Sequence, residues 1–444
     1  MVIVGDNPTL HGGFATVGQQ VARSLHRRRA RVRYVARSPG DPDAVPEPYE
    51  VVTTDFDQDS AACAASPLAG SLDRALDAGA GRVVLLSIGG LRDHAELLAA
   101  LEQTRPTRPA AVIAYLPVDC APLPPIARSV LGQADMVVPY TWFGADAVRR
   151  AGVTAVVAPP IPHGVDTDVF SPLEAGERRE MRRTRFGLAE DEVLVGFFGR
   201  NCGHKRPDLA LRVFAAWVNG GAVRCPGCAV LVELPLGPVA GHYGILPRCP
   251  HCGGDGPFER QPARSSARFY LHTELLTARE RRISGGWDLE LLARRLGVSE
   301  QVLFDPTLQI GRGVDGRELA RRMAACDVHL LPYEGGAWEL TVLETGACGV
   351  PNVITDAAAP PEYAAPFSLL VPPMMRVHGP RGTRAFMDVG RAVAALQGLC
   401  SDHAQRRRLA ERGVEVARAH RWEPIGDAWA ELLQGAARQA RYVG

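Results

Sequence analysis

The chain has 444 residues, 46% hydrophobic and 22% charged, with a formal net charge of +1. That length holds two or three domains with sizeable cores. The balanced charge excludes bulk attraction to nucleic acid, and to membrane beyond peripheral contact. No apolar run reaches the roughly 18 residues that span a bilayer.

Met1-Val2-Ile3-Val4 reads as a first strand rather than a secretory leader. Of ten cysteines, four are paired as CxxC and six are scattered, which suits a reducing cytoplasm better than a disulfide framework.

After the strand Val2–Val4 comes a turn-rich loop, Asp6 to Gly13, then a helix from Phe14 to His26 and a strand Val32–Ala36. Ala44 to Pro67 is less regular. Its Asp55-Phe56-Asp57 triplet invites a metal-site reading, but no other ligand is in register, and a solvated acidic loop accounts for it better. Val83–Ile88 is an unbroken apolar run, as a parallel strand covered on both faces requires. There follow helix His94–Glu102, strand Ala111–Leu116, helix Pro125–Leu131, strand Met136–Pro139, helix Phe143–Ala151 and strand Thr154–Val157. This alternation predicts a doubly wound parallel sheet, with ligands at the carboxyl ends of its strands.

Ala158 to Pro172 is proline-rich and reads as an interdomain hinge, followed by a basic helix from Arg178 to Phe186. A second β/α series opens at Val195 with VGFFGRNCGHKRPDLALRVFAAW. Val195–Phe198 suits a buried strand, Gly199 to Lys205 a polar loop, and Pro207-Asp208 the first turn of a helix. Leu209, Val213, Ala216 and Trp217 predict one apolar stripe on that helix. A loop feeding a helix start between Arg200 and Lys205 is a seat for phosphate; a solvated basic loop is the bland alternative. Lys205 is the only lysine among 50 basic residues. A compact ammonium kept at this one place suggests a geometric need that a planar guanidinium does not meet.

The series continues through strand Phe269–His272, helix Leu289–Leu296, strand Val302–Phe304, helix Gly316–Cys326, strand Val328–Leu331, helix Leu340–Cys348 and strand Asn352–Thr355. Two long helices, about Ala404–His420 and Glu423–Ala440, close the chain. Between Asn219 and Arg268 stand Cys225-Pro-Gly-Cys228 and Cys249-Pro-His-Cys252, with 20 residues between the pairs. This is zinc-ribbon spacing: each CxxC turn presents two thiolates to one tetrahedral ion. Four thiolates leave no open position, so the zinc is structural rather than catalytic.

With two Rossmann-like halves, the Gly12-Gly13 loop, IPHGVD, G-R-x4-K and ETGACGVP in this order, the chain resembles a GT-B glycosyltransferase of the large retaining family 4. The resemblance spans nearly everything outside 219–268. It implies an α/β fold with an acceptor-side Rossmann-like domain (1–165) and a nucleotide-sugar domain (166–420). The second domain carries the four-cysteine zinc-ribbon insertion (219–268), and a C-terminal crossover helix (421–444) returns to the first. The resemblance also implies a UDP-, GDP- or ADP-linked sugar donor, an unknown acceptor, a front-face retaining mechanism and hinge closure, with no catalytic metal.

By the resemblance, Arg200 and Lys205 neutralise the leaving diphosphate and Glu344 accepts hydrogen bonds from the ribose. A dipole-favoured glutamate in an early helix turn is the plainer account of Glu344. Gly12 and Gly13 let backbone approach a phosphate or sugar, or form a plain tight turn. Asp119 would meet donor or acceptor hydroxyls; His163 and Asp166 read as hinge structure. One departure matters. The family places a sugar-binding glutamate eight positions before the ribose glutamate, and here that position is Gly336. Glu334 and Glu339 lie nearby, and Glu339 on a shifted turn is the candidate replacement. The rival readings are a non-catalytic GT-B scaffold with the ribbon as its contact surface, and sugar transfer to a macromolecule recruited by the ribbon.

Overall fold

The structure is a computed structural model, and it describes residues 1–10, 12–42, 44–54, 67–77, 83–104, 111–237, 239, 241–264, 266–310 and 313–439. The Asp55–Asp57 triplet lies outside the described residues. Two compact units divide the chain. One comprises Met1–Gly164, Gly379–Gly382 and His420–Gly444; the other comprises Val165–His378 and Thr383–Ala419.

Unit 1 runs β1 (Val2–Gly5), α1 (Gly13–Arg27), β2 (Arg33–Ala36), β3 (Glu50–Thr53), α2 (Pro67–Asp77) and β4 (Val84–Ile88). It continues with α3 (Leu91–Gln103), β5 (Ala111–Leu116), α4 (Ile126–Leu131), β6 (Met136–Pro139), α5 (Trp142–Arg150) and β7 (Val156–Val157). The strands form a seven-stranded sheet in the order β3-β2-β1-β4-β5-β6-β7, with every pair parallel. β1 and β4 are buried along their length, which is why they read as apolar runs without alternation. β3 fell in the stretch expected to be irregular: its residues are half-exposed at the sheet edge, so its apolar signal is weak.

Unit 2 begins with α6 (Ala175–Phe186), β8 (Val193–Phe198) and α7 (Pro207–Val218). The insertion holds β9 (Ala222–Arg224), β10 (Leu231–Glu233) and β11 (Glu259–Arg260), a three-stranded sheet in the order β10-β9-β11. Then come β12 (Ala267–His272), α8 (Ala278–Ser284), α9 (Leu289–Arg295), β13 (Val302–Phe304), α10 (Gly316–Ala325) and β14 (Val328–Leu331). Next are α11 (Leu340–Ala347), β15 (Asn352–Thr355), α12 (Pro361–Ala364), β16 (Ser368–Val371), β17 (Pro373–Gly379) and β18 (Gly382–Met387). The helices α13 (Val389–Ser401), α14 (His403–Ala419) and α15 (Trp422–Gln439) end the chain. The six-stranded sheet has the order β13-β12-β8-β14-β15-β16 and is parallel throughout.

One expectation changes. Every residue of α7 is buried except Arg212, so the helix carries no single stripe. It is covered by the sheet on one side and by α9 and α13 on others. Of the two closing helices, only α15 belongs to unit 1. Its Trp429 is fully buried edge-on to Tyr115 at 4.7 Å, and Asp427 accepts from Nε of Arg28, the C-cap of α1, at 2.7 Å. α14 packs on α11, where Gly413 approaches so closely that a Cβ there would stand 2.7 Å from the Gly346 carbonyl oxygen.

His163 is structural. It is buried among Tyr115, Tyr140 and Trp422, and that burial pushes its pKa down to about 3, so it stays neutral. Asp166 makes a local turn, its Oδ1 accepting from the Asp168 amide at 3.0 Å.

Candidate functional site

The loops at the carboxyl ends of β8, β12, β14 and β15 meet within unit 2, where open parallel sheets place ligands. The loop after β8 reaches the start of α7 through Arg206, which adopts a left-handed backbone (φ 56°, ψ 51°). The following Pro207 disfavours a right-handed helical turn there. A non-glycine residue in that region is strained and needs to be held by its surroundings. Arg206 is held thoroughly. Its Nε and Nη2 contact both oxygens of Asp208 at 2.8 and 2.7 Å, and Nη1 donates to Glu334 at 2.9 Å. Its guanidinium lies over the rings of Trp287 (5.5 Å) and Phe386 (5.1 Å). Glu334 also accepts from Arg384 at 2.9 Å, and its amide donates to the His204 carbonyl at 2.9 Å. Asn201 ties the same loop to the Glu274 and Trp287 main chain.

This network fixes Lys205. Its Nζ donates to Oε2 of Glu339, so the lone lysine is paired rather than bare. Glu339 is buried, with its side chain 6% exposed. Its amide donates to the Tyr363 hydroxyl at 2.8 Å, and Tyr363 stacks on Trp338 at 4.1 Å. Gly336 is also buried, and its carbonyl accepts from the Ala359 amide at 3.2 Å. A Cβ on Gly336 would lie 2.6 Å from Oε1 of Glu339. The carboxylate therefore occupies the room a side chain at 336 would take.

Glu344 lies further along α11 and is half-buried. Its carboxylate has no hydrogen bond or ion pair among the described residues, and burial pushes its pKa up to about 7. A carboxylate in that condition gains most from hydroxyl donors. Arg200 is exposed on the β8–α7 loop. His204, on the same loop, has its pKa pushed down to about 3 by desolvation and by the charges of Lys205, Arg200 and Arg384.

The structure brings Lys205 and Glu339 into contact; Arg200 lies on the β8–α7 loop and Glu344 within α11, the helix that Glu339 opens. Gly12, Gly13 and Asp119 belong to unit 1. Gly12 is extended at φ 178°, with nothing within 4 Å of where a Cβ would be. Gly13 is exposed and opens α1. Asp119 is exposed after β5. Sequence reasoning missed Arg206, Arg384, Trp287, Phe386 and Tyr363. Only Arg206 left a local signal, as a cation before Pro-Asp at a helix start.

The four insertion cysteines converge, with all Sγ atoms within 4.8 Å of one another. Cys225 and Cys252 are 3.6 Å apart, and Cys228 and Cys249 3.7 Å. A tetrahedron with Zn–S bonds of about 2.3 Å has edges of about 3.8 Å, close to the two Cys–Cys separations just given, so the quartet has the donor set and spacing that suit zinc. The two knuckles share one hydrogen-bond pattern. The Cys225 amide donates to Val230 O at 3.0 Å and its carbonyl accepts from Ala229 at 2.9 Å; Cys249 does the same with Gly254 at 2.9 Å and Gly253 at 2.8 Å. The nine described cysteines are free thiols.

No family model matches the chain. Among solved structures, sucrose-phosphate synthase from Thermosynechococcus elongatus superposes with a TM-score of 0.67 at 16% identity, covering 100% of this chain and 99% of that one. Anabaena HepE, solved in complex with UDP and glucose, superposes with a TM-score of 0.66 at 14% identity, over 98% of this chain and 99% of its own.

The fold is GT-B.

The expected GT-B architecture is thereby borne out. The curated relatives match over shorter stretches. The D-inositol 3-phosphate glycosyltransferase of Acidothermus cellulolyticus is 26% identical over 288 residues, 59% of this chain and 53% of its own. That of Actinosynnema mirum is 30% identical over 230 residues, 51% of this chain and 42% of its own. The chain spans about half the length of the curated relatives it matches. Among the described residues of this GT-B chain, no helix is long and apolar enough to cross a membrane.

Proposed function

We propose that this chain is a retaining glycosyltransferase that takes its sugar from a nucleotide donor, with the donor held by unit 2. The observation that carries the reading is the pair between Lys205 on the β8–α7 loop and Glu339 at the start of α11, with the Glu339 carboxylate in the room left by Gly336. Lys205 and Arg200 stand at a helix start, where a diphosphate is best stabilised. When a donor arrives, its phosphates draw the Lys205 ammonium. Glu339 is then released to accept hydrogen bonds from the sugar hydroxyls. Glu344 accepts from the ribose. Arg200 and Lys205 stabilise the charge that grows on the leaving diphosphate, a preorganised electrostatic contribution that needs no protein nucleophile. HepE's complex with UDP and glucose and the names of the sequence relatives support this reading.

The filled site at Gly336 weighs against a non-catalytic scaffold. The four cysteines hold structural zinc, which ties the two knuckles together and supplies no step of transfer.

A thermal-shift screen against UDP, GDP and ADP tests the donor site, since a ligand at 100 times its Kd adds about 2.7 kcal/mol. Release of nucleoside diphosphate from the matching sugar donors tests transfer. No shift with any of the three, and no release, would remove the reading.

A further inference from the structure

A cavity of about 700 Å³ lies within unit 2 at the amino ends of β8 and β14. Val193, the first residue of β8, and Asp327, the residue before β14, are in its wall. The loops that carry Lys205 and Glu339 leave the carboxyl ends of the same two strands. The six-residue β8 thus separates the two places by about 20 Å. The volume is that of a small-molecule site.

Six arginines line the cavity against four carboxylates. Two of the carboxylates are engaged. Asp327 accepts from Arg178 at 2.8 Å on one oxygen, and from Arg182 at 3.0 Å and the Leu194 amide at 2.8 Å on the other. Glu192 pairs with Arg268 at 3.1 Å and accepts from the Ala189 amide at 2.8 Å. Glu190 and Asp191 are exposed, as are Arg179 and Arg183, and water screens all four. Arg264 and Arg406 remain, and among the described residues neither has a carboxylate partner. Arg264 lies 5.3 Å from the centre of the Trp217 ring. Arg406 donates to the Leu399 carbonyl at 2.9 Å and to Nδ1 of His403 at 2.7 Å. His403 also lines the cavity; with Nδ1 accepting, its Nε2 carries the hydrogen and is a further donor. Both guanidiniums act on one group in the wall, Cys400. Burial pushes that thiol up to about 12, with Arg264 and Arg406 opposing and Asp327 adding to the rise. Two cations without counter-ions therefore stand at one cavity.

We propose that this cavity binds a dianionic phosphate group carried by a small phosphate ester, remote from the loops that carry Lys205 and Glu339. Two unpaired guanidiniums match two negative charges, and each planar fork fits a pair of phosphate oxygens. A free phosphate ion would leave most of the volume empty, whereas the buried Leu188 and Val193 offer an organic body an apolar wall. The site stands whether or not the chain turns over a sugar donor.

Calorimetry on the full chain, in phosphate-free buffer of low ionic strength, compares phenyl phosphate, phenyl sulfate and inorganic phosphate. At about pH 7.5 the phosphate ester is mostly a dianion, since its second pKa is about 6, and the sulfate ester is a monoanion of similar shape. Phenyl phosphate should bind about tenfold tighter than phenyl sulfate, the worth of one more charge-assisted bond, and tighter than inorganic phosphate. Arg264→Ala and Arg406→Ala should each weaken it about tenfold or more, with thermal melts checking that each variant folds. Arg406→Lys keeps the charge without the fork and should fall between wild type and Arg406→Ala. Saturating UDP should leave the affinity for phenyl phosphate unchanged. Phenyl sulfate binding as tightly as phenyl phosphate, binding unmoved in both alanine variants, or displacement by UDP would overturn the site. Inorganic phosphate binding as tightly as the ester would overturn the ester and make the free ion the occupant.

Discussion

Glu339 fills the space of a side chain that Gly336 lacks: a Cβ at 336 would sit 2.6 Å from Glu339 Oε1. The two positions are alternatives for one carboxylate. Glu339→Ala should slow sugar transfer by about tenfold or more, the value of a hydrogen bond to a charged group. UDP affinity should hold or rise, because Lys205 is released from its pair. Gly336→Ala alone should also impair transfer by displacing the buried carboxylate. The double change Gly336→Glu with Glu339→Gly should recover more activity than either single change. Calorimetric UDP binding and a nucleotide-release assay check all four proteins. A double variant no better than Glu339→Ala would show that the two sites do not share a role.

Lys205→Ala should weaken nucleoside diphosphate binding roughly ten- to hundredfold, from the loss of about 1.5–3 kcal/mol. It should also destabilise the protein, since it strands a buried carboxylate. Lys205→Ala with Glu339→Ala should then be more stable than Lys205→Ala alone. Lys205→Arg should restore binding only in part, as a planar fork is a poor copy of a compact ammonium. Chemical denaturation and binding isotherms on wild type, Lys205→Ala, Glu339→Ala and the double variant close the cycle. Additive losses of stability would mean that the pair is not coupled.

Glu344 sets a pH dependence. Burial raises its pKa from about 4.5 to about 7, so the native state holds a proton that the unfolded chain has released. Its contribution to stability is fully present below about pH 4.5 and is lost as pH rises through about 7. Glu344→Gln should therefore raise Tm relative to wild type at pH 8 and lose that advantage near pH 4.5. Ribose hydroxyls donate best to the ionised form. UDP affinity in wild type should accordingly fall as pH drops through 7, beyond any fall seen in Glu344→Gln, which corrects for titration of the nucleotide itself. Parallel pH profiles in the two proteins would exclude the ribose role.

Purified protein should carry about one zinc per chain. The knuckles are not an isolated appendage. The Leu231 carbonyl of β10 lies where a Cβ on Gly390 would be, 1.9 Å away, and His251 contacts Asp388 at 3.1 Å. Asp388 caps α13, accepting from the Arg391 amide at 3.0 Å. Cys252→Ser should thus lose zinc and lower Tm. Gly390→Ala should cost about 1–3 kcal/mol through overpacking while keeping zinc. Below the transition, UDP affinity should change little in either. Elemental analysis and thermal melts give the result; zinc-free wild type purified without chelator would count against the site.

The alternation of elements was legible along the chain because parallel strands buried on both faces announce themselves as apolar runs: the runs Val83–Ile88 and Val195–Phe198 needed no tertiary information to be read as strands, which the structure places at Val84–Ile88 and Val193–Phe198. The cysteine quartet was equally legible, since two CxxC turns carry their metal geometry in their spacing. Short edge strands such as Glu50–Thr53, the insertion strands and the hairpin β17–β18 were not, because half-exposed residues leave no clear period. The single stripe expected on α7 failed for the opposite reason: local periodicity counts apolar residues, but how many neighbours surround a helix is decided by the packing of distant segments. The site shows the same division. Local sequence determined that Lys205 is unique and that position 336 has no side chain. That Glu339 stands in the vacated room, on the ammonium of Lys205, was decided only when the loops after β8 and β14 met, 134 residues apart in the chain. A contact of that separation has no local periodicity to betray it; it exists only because adjacent parallel strands end side by side.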